Sequence, residues 1–568
     1  MKTTLSQRNA LILSLIVTVA NAQSSWAQSK VPGIMVLSGG HSPESNHYSQ
    51  YLQTKTLYEF TDSKFGSDEV KLFFGSGLRP DSQNVLPDVH RIAPLNSTSN
   101  QRTSDFIPGV INNNNSAYKN NVLNFLDDAR QLPSNKNFYL LVSDHGMPNY
   151  EKPDFDKNPN NDNCIDLWAQ SDIDQNAKTI KRFKFQDHCL SRSELEASLA
   201  KLPVKKSVFV MSQCFSGGFH QMSVKNNKAG LPVANPKVCG FTATNEANFA
   251  SGCTADVDDA RYKGYERFMT ERLTGKNVVT GKQIHEPQLN LAIAHREAAL
   301  EDMTIDIPIT TEDYYLRQWA VTFETKNNPA LKTLPANSQK LYLEALSGKK
   351  IGSEDAAVAS RRAFLSDTIA AIGQSHPRVA IKSLNSLQIT LGQIQKSLNQ
   401  LKETNEIQSG ILSEKLEALQ AEIMANNDKA QIPSPFNEYE VSVLRMFQGL
   451  SRQYQSSVSA LYMTRLFAPE VYSNMRHLSA TAQTKIKDAS FSVPANMALI
   501  KKSDAMEAEV AVLESTNEEV ATELMMLQRI SYYNKSLAAL KVISAQKIAM
   551  AQNNLQGLRG CLSGSLGD

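Results

Sequence analysis

The sequence has little net charge and, after its first residues, no long apolar run. Its 59 lysines and arginines nearly balance its 57 aspartates and glutamates, which leaves a formal net charge of +2. Such a chain offers no general electrostatic reason to bind nucleic acid. Because no later stretch is long and apolar enough to span a bilayer, we expect no integral membrane span in the mature chain.

Motifs for several kinds of chemistry are also absent. The sequence contains no phosphate-binding P-loop and no Gly-x-Ser-x-Gly nucleophile elbow. Its histidines, among them His41, His47, His188 and His220, lack metal-ligand spacing such as His-x-x-x-His. The sequence therefore indicates neither a metal site nor a cofactor.

The amino terminus has the pattern of a secretory signal. Residues 1–8 form a basic region, and residues 10–20 form an apolar run of signal-peptide length. Small-x-small cleavage sites follow at 20–22 and 25–27. We therefore expect residues 1–27 to be removed and the mature protein to be exported to a periplasm or outside the cell. An uncleaved amino-terminal anchor is the alternative.

The chain alternates strand and helix patterns over residues 31–301, which favours an α/β sheet. Near-continuous apolar strands of this kind are usually parallel and covered on both faces, so we predict a mainly parallel sheet flanked by helices. The strand runs are 33–37, 70–74, 138–142, 208–211 and 238–242, and the helical stretches are 48–60, 118–130, 192–201, 258–273 and 287–300.

After about residue 308 the strand signals nearly vanish and a long all-α region follows. We predict a catalytic-type domain at 28–307, a helical region with heptads at 308–434 and a second helical block at 435–568. Apolar residues at alternating intervals of three and four form an a/d seam, which favours a helical bundle or a coiled coil. The seam residues are Leu384, Leu387, Leu391, Ile394, Leu398 and Leu401, and then Leu412, Leu416, Leu419 and Ile423.

Two of the predicted strands end on a reactive side chain with glycine close behind. One delivers His145 and Gly146, and the other delivers Cys214 before a Gly-Gly pair. Working residues of parallel sheets collect beyond the carboxyl ends of the strands. A thiol reacts as thiolate, and a nearby imidazole lowers its pKa and carries the proton. The pattern therefore favours a cysteine nucleophile with a histidine base, and the amide of Gly146 is a candidate oxyanion donor.

Export also changes how the other cysteines are interpreted, because disulfides persist outside the cytoplasm. With Cys214 reserved for chemistry, the sequence allows local bridges between Cys164 and Cys189 and between Cys239 and Cys253. Sequence alone does not fix this connectivity, and an odd thiol remains.

These residues resemble the caspase–haemoglobinase fold group of cysteine peptidases, and the legumain family in particular, over residues 31–301. The resemblance rests on Ser-Asp-His145-Gly146 and on the Ser-Gln-Cys214-Phe-Ser-Gly-Gly run. It implies a caspase-like sheet, a Cys–His dyad, and a supporting role for Asn46 beside the histidine. It also implies that a helical carboxy-terminal region caps the active site and is removable.

The specificity pocket departs from the family pattern. Asn245 and Ser251 resemble the stretch that lines the primary pocket, whereas Tyr48 and Ser212 stand where asparagine-cleaving legumains have an arginine and an acidic residue. The preferred P1 residue therefore cannot be inherited from the family. Acidic residues that could line the pocket instead, and select a basic side chain, are Asp256, Asp258 and Asp259.

The sequence thus predicts an exported cysteine endopeptidase acting on proteins or peptides. One alternative is a transpeptidase or transamidase that uses the same dyad. The other is a non-catalytic secreted interaction protein that acts through its helical half. That half could also mediate self-association or autoinhibition.

Overall fold

The computed structural model describes residues 31–42, 45–77, 83–85, 107–152, 162–169, 184–252, 257, 262–430 and 493–568. For residues 83–85 and 107–108 it describes the backbone alone. The expected signal segment at 1–27 lies outside the described residues. So do Cys253 and the pocket candidates Asp256, Asp258 and Asp259.

A six-stranded sheet forms the centre of the α/β part. Its strands are β1 (Ile34–Ser38), β2 (Val70–Phe74), β3 (Asn137–Val142), β4 (Lys206–Met211), β5 (Val238–Thr242) and β6 (Ile309–Thr310). They pair in the order β6-β5-β4-β3-β1-β2. All neighbours are parallel except β6, which runs antiparallel to β5 at one edge. The expectation of a mainly parallel sheet with helices is confirmed.

Helices follow most strands and make up most of the chain after residue 310. They are α1 (Tyr48–Phe65), α2 (Lys119–Asp128), α3 (Phe185–His188), α4 (Arg192–Leu199), α5 (Tyr265–Thr274), α6 (Leu291–Glu301), α7 (Thr311–Glu324), α8 (Ser338–Leu346), α9 (Ala356–Ser375), α10 (Leu387–Lys429), α11 (Asn496–Ala545) and α12 (Ala549–Leu562). Among the described residues, no helix is long and apolar enough to cross a membrane.

Short antiparallel strands decorate the loops beyond the sheet. Gly146–Met147, Cys164–Asp166 and Cys189–Ser191 form a three-stranded sheet directly after β3. Val224–Asn226 pairs with Pro232–Ala234, and Gln83–Val85 pairs with Ile107–Pro108. The three-stranded sheet begins at the residue after His145.

The central sheet is buried on both faces, as successive side chains of its strands alternate. Ile34 and Val36 of β1 belong to one apolar cluster, which also includes Leu562 and Leu566 from the end of the chain. Met35 and Leu37 belong to the cluster on the other face. The carboxy-terminal residues are therefore part of the α/β core.

The chain divides into two compact units. One comprises Met1–Gln388 together with Gln528–Asp568, and the other comprises Ile389–Leu527. The unit that contains the central sheet thus continues past residue 307, where we expected the first domain to end. Strand β6 and helix α12 belong to it, although both fall in the stretch that the sequence predicted as separate helical domains.

The end of the chain is fastened to the amino-terminal end of the sheet. The Lys206 ammonium donates to the carbonyl of Cys561 (3.0 Å), and the Tyr139 hydroxyl donates to the carbonyl of Ser565 (2.6 Å). The Asn137 amide donates to the carbonyl of Asp568 at 2.9 Å. These bonds and the apolar contacts place α12 against β4 and β5.

Two disulfides join cysteines of the described residues, and one of them corrects the sequence interpretation. Cys164 bonds to Cys189, as the sequence allowed. Cys239 bonds to Cys561, 322 residues away, so the expected local bridge to Cys253 is wrong. The physical reason is that α12 packs on the sheet beside β5, which brings Cys561 to Cys239.

The unit Ile389–Leu527 contains a helical hairpin. The Asn405 amide donates to Asn517, and the Asn426 amide donates to Asn496, so the paired residue numbers rise on one helix as they fall on the other. The two helices therefore run antiparallel, and both ends of this unit lie at the same end of the hairpin. Several seam leucines are buried in it, including Leu412 and Leu419.

Candidate active site

Strands β3 and β4 are direct neighbours and run parallel, with Val142 opposite Met211. His145 lies three residues beyond the first of these positions and Cys214 three residues beyond the second. The two side chains singled out by the sequence therefore leave the same edge of the sheet from adjacent strands. A Cβ on Gly146 would lie 1.8 Å from the carbonyl oxygen of Cys214, so the two segments are in close contact.

The sulfur of Cys214 lies in a nearly buried position and receives a backbone hydrogen bond. The residue is 7% exposed. The amide of Ala250 donates to its Sγ at 3.2 Å, and the Ala250 carbonyl lies 3.7 Å from the same sulfur. Ala250 thus holds the sulfur through both of its backbone groups. Ala250 was not identified from the sequence.

The residue after the cysteine has a left-handed backbone. Phe215 has φ +57°, which is uncommon for a residue other than glycine. Its amide donates to the Asn248 carbonyl at 2.9 Å, and its carbonyl accepts from the Asn163 side chain at 2.9 Å. These bonds hold a sharp turn between β4 and the 3-10 helix Ser216–Met222. Such locally held strain is common at functional sites.

The imidazole of His145 is half-buried and has a lowered pKa. Burial is the largest cause, and the charge of Asp166 and a backbone hydrogen bond with Ser45 act in the opposite direction. The ring of His47 packs edge-on at a centroid distance of 4.9 Å. A histidine that stays neutral near neutral pH can accept a proton from a thiol.

Asn46, expected to support the histidine, is fully buried between β1 and α1. The backbone of Ser45, one residue earlier, makes a hydrogen bond to the imidazole. A main-chain contact of this kind is one that no residue type reveals.

The residue before the histidine is a buried carboxyl group. Asp144 accepts from the amides of Gly40 (2.8 Å) and His145 (2.7 Å). Burial, together with the charge of Asp166, raises the pKa of Asp144 well above its ordinary value. It fixes the backbone on which His145 is carried.

The predicted pocket residues lie around this edge but make their own local bonds. The Ser212 hydroxyl donates to the Val142 carbonyl (3.0 Å) and accepts from the Gln53 amide (3.2 Å). The Asn245 side chain accepts from the amide of Ala247 (2.9 Å), which closes a turn. Tyr48, half-buried at the start of α1, stacks on Tyr51 with ring centroids 6.0 Å apart.

Ser251 leads to a buried group of acids that sequence reasoning missed. Its amide and hydroxyl both donate to Asp306, at 2.7 and 2.8 Å. Burial raises the pKa values of Asp306, Glu266 and Asp302, and that of Asp302 reaches about 7. After burial, the negative charge of Asp306 is the largest cause of the raised pKa of both Glu266 and Asp302. The charge of the fully buried Arg529, which pairs with Asp302 at 3.4 Å, lowers the pKa values of Asp302 and Asp306 and so offsets part of the rise.

A second cluster of titratable groups lies at the same edge. The Asp166 carboxylate contacts Nδ1 of His41 at 2.7 Å through one oxygen and Nδ1 of His188 at 2.6 Å through the other. These bonds outweigh burial and lower the pKa of Asp166 to about 2. The backbone amide of Asp166 donates to the His145 carbonyl at 3.0 Å, which joins this cluster to the segment that carries His145.

A cavity at the opposite edge of the sheet plays no part in this arrangement. It has a volume of about 350 Å³ and is lined by residues such as Gly33, Asn137 and Asp568, at the amino-terminal ends of the strands. His145 and Cys214 instead lie beyond the carboxyl ends of the strands.

A scan against models of known protein families finds no match to the chain, and a search of curated proteins finds no relative of it.

Proposed function

We propose that this chain is an exported cysteine endopeptidase with a legumain-like catalytic domain of caspase-like fold. The substrate is a protein or peptide, and Cys214 and His145 form the catalytic dyad. The observation that carries the proposal is the pairing of β3 with β4, which brings the segments of His145 and Cys214 to one edge. A mainly parallel sheet with one antiparallel edge strand is in keeping with the proposed fold.

In the proposed reaction the Cys214 sulfur attacks the scissile carbonyl carbon and forms a thioester. His145 takes the thiol proton and gives it to the leaving amine as the peptide bond breaks. Water, activated by the same imidazole, then hydrolyses the thioester and restores the thiol. The amide of Gly146 is the proposed donor to the oxyanion. Its segment lies in close contact with Cys214.

The proposal is tested by turnover of a fluorogenic peptide library varied at P1, under mild reduction. We expect wild-type protein to cleave a subset of the peptides, Cys214→Ala to be inactive, and His145→Ala to lose about 10²- to 10⁴-fold in kcat/KM. His285→Ala is the matched control, since that histidine lies outside the site. Cleavage that persists in Cys214→Ala would disprove the dyad.

The P1 residue that the library reveals would also define the pocket. Tyr48, Ser212, Asn245 and Ser251 are its proposed lining. Because none of these side chains carries a charge, the pocket that they form is expected to favour an uncharged P1 side chain.

Transpeptidation is the alternative within the same chemistry. An amine in place of water would resolve the thioester, and both reactions use the same dyad. Mass spectrometry of products formed with an added amine nucleophile separates them, because only the transpeptidase joins the amine to the acyl fragment efficiently.

Export is part of the proposal. It is supported by the signal-like pattern at 1–27 and by two disulfides, which persist in oxidising compartments.

An interaction role of the hairpin unit is the second candidate function. It is favoured by large apolar side chains that this unit exposes by 48–67%. Exposed apolar surface often marks an association site. Measurement of solution mass as a function of concentration would test it, because self-association raises the mass with concentration. The side chains are Ile389, Ile407, Ile411, Met424, Met497 and Val512.

A further inference from the structure

Three side chains from separate segments converge into a possible ligand set beside the dyad. His41 follows β1, Asp166 ends the strand Cys164–Asp166, and His188 ends α3. Each offers one ligand atom, and the three atoms lie within 4.8 Å of one another. Tetrahedral ligands about 2.0–2.1 Å from zinc are roughly 3.4 Å apart, so shifts of about 1 Å would bring these atoms onto one ion.

We propose that the His41–Asp166–His188 cluster is a binding site for a divalent transition-metal ion such as Zn²⁺. Two imidazoles and one carboxylate form a donor set that suits zinc and its neighbours better than calcium or magnesium, which prefer oxygen ligands. Three protein ligands leave a coordination position for water or another small ligand, as in zinc sites that are open to solvent.

Burial and access at the cluster fit an ion site. The Asp166 side chain is 3% exposed, whereas those of His41 and His188 are 26% and 13% exposed. The carboxylate is therefore shielded from water, while the imidazoles remain within reach of solvent.

The backbone around the cluster is already fixed. The disulfide Cys164–Cys189 joins the segments that carry Asp166 and His188, and Asp166 pairs with Cys189 in the short sheet. The amide of Leu167 donates to the His188 carbonyl (2.7 Å), and the amide of Ala169 donates to the His41 carbonyl (3.1 Å). Ligands held in place before the ion arrives lose less entropy when they bind it.

The test is Zn²⁺ binding measured by competition with a metallochromic indicator, in the Cys214→Ala background. That background removes the thiol as a ligand and makes the result independent of any peptidase activity. We expect one Zn²⁺ per chain. Adding His188→Ala or His41→Ala should weaken Zn²⁺ binding about 100-fold or more. Even the loss of a residue that only hydrogen-bonds to a metal ligand lowers metal affinity about 10- to 100-fold, and these two residues are proposed as ligands themselves. Millimolar Ca²⁺ and Mg²⁺ should not compete.

Two controls keep the proposal falsifiable. His47→Ala replaces a histidine of the same edge that is outside the cluster, and it should keep full affinity. Circular dichroism and thermal unfolding show whether each variant is folded. Asp166→Asn is a nearly isosteric change that removes the carboxylate charge, and it should also weaken Zn²⁺ binding. Equal Zn²⁺ affinity in folded His188→Ala and in the background protein, or a stoichiometry well below one, would overturn the site.

Replacement of the bound ion by Co²⁺ adds a spectroscopic readout. A site made of two imidazoles and a carboxylate should give visible absorption bands that disappear in His41→Ala. Unchanged bands in that variant would place the ion elsewhere and contradict the proposal.

Discussion

Gly146 and Cys214 are in such close contact that a Cβ on the glycine would meet the carbonyl oxygen of the cysteine at 1.8 Å. Because the group in the way is backbone, it cannot rotate aside as a flexible side chain could. Even an alanine at position 146 must therefore push the segments of His145 and Cys214 apart. The mutual position of imidazole and thiol thus depends on the absence of one methyl group.

Gly146→Ala is expected to destabilise the protein by about 1–3 kcal/mol, as overpacking usually does. If the proposed dyad is correct, it should also lower kcat/KM by about 100-fold or more, since a displacement near 1 Å can have that effect. Urea unfolding and peptide turnover measure the two effects.

Gly410→Ala is the matched control for this substitution. Gly410 lies inside α10 with nothing within 4 Å of its added Cβ. The change should stabilise that helix by roughly 0.5–1 kcal/mol, because glycine is unfavourable in helix interiors. Equal effects of the two substitutions would contradict the steric argument.

The two disulfides should differ in their contribution to stability. In the chain-entropy description a bridge stabilises more when it closes a longer loop, within a usual range of about 2–5 kcal/mol. Cys239–Cys561 spans 322 residues and Cys164–Cys189 spans 25. We therefore expect Cys239→Ser with Cys561→Ser to lower the free energy of unfolding more than Cys164→Ser with Cys189→Ser.

Guanidinium unfolding of both double mutants, without reductant, gives this comparison. The wild-type protein with reductant serves as the reference in which both bridges are open. A larger loss in the Cys164/Cys189 pair would show that local strain or packing, rather than loop length, dominates.

Truncation should separate the removable helices from those that complete the sheet. Deletion of 308–568 removes β6, the partner of Cys239 and the core residues Leu562 and Leu566, so we expect it to prevent folding. Replacement of 389–527 by a short glycine–serine linker should leave a folded protein, because both ends of that unit lie at one end of an antiparallel hairpin. Soluble expression, circular dichroism and the thermal midpoint measure the outcome.

A folded, active 1–307 fragment would support the removable cap that the legumain resemblance implies. Loss of folding on replacement of 389–527 would show instead that the hairpin unit is needed by the rest of the chain.

Acid destabilisation should depend on His220. Its ring nitrogens contact the hydroxyls of Thr311 (2.9 Å) and Thr242 (3.1 Å), and burial lowers its pKa from 6.5 to about 3. Between pH 6.5 and 3 the unfolded chain binds a proton at this position that the folded protein does not. Stability therefore falls as the pH drops through this window, by up to about 1.4 kcal/mol per pH unit from this group.

His220→Asn should remove that contribution, so its free energy of unfolding should depend less steeply on pH between 6.5 and 4 than that of wild type. Urea unfolding at a series of pH values gives both slopes. The comparison uses slopes, because the substitution also lowers stability at every pH. His285→Asn is the control for replacing a histidine outside the core, and identical slopes in wild type and His220→Asn would refute the prediction.

Local pattern was sufficient to predict the strands that carry the site. The runs ending near Val142 and Met211 are short, apolar and followed by glycine. Such a pattern can be recognised from residues that are adjacent in the sequence, without knowledge of distant contacts. The close cysteines Cys164 and Cys189 were found for the same reason.

The rest depends on contacts between distant segments, which a single sequence does not encode in any readable pattern. Cys561 reaches Cys239 only because α12 packs on the sheet. The support of His145 and of the Cys214 sulfur comes from backbone groups of Ser45 and Ala250, and a backbone group carries no residue signature. His41 and His188 lie 147 positions apart, so no ligand spacing could have revealed their cluster.

The contacts of residues 561–568 with the sheet affect when, during synthesis, the site can form. The segments that carry the imidazole and the thiol are synthesised early, but the core beneath them includes Leu562 and Leu566, which are synthesised much later. A partly made chain therefore lacks part of the scaffold that aligns the two groups. If the proposed peptidase activity is correct, this delays competence until Leu562 and Leu566 have been made, which would spare the proteins of the producing cell meanwhile.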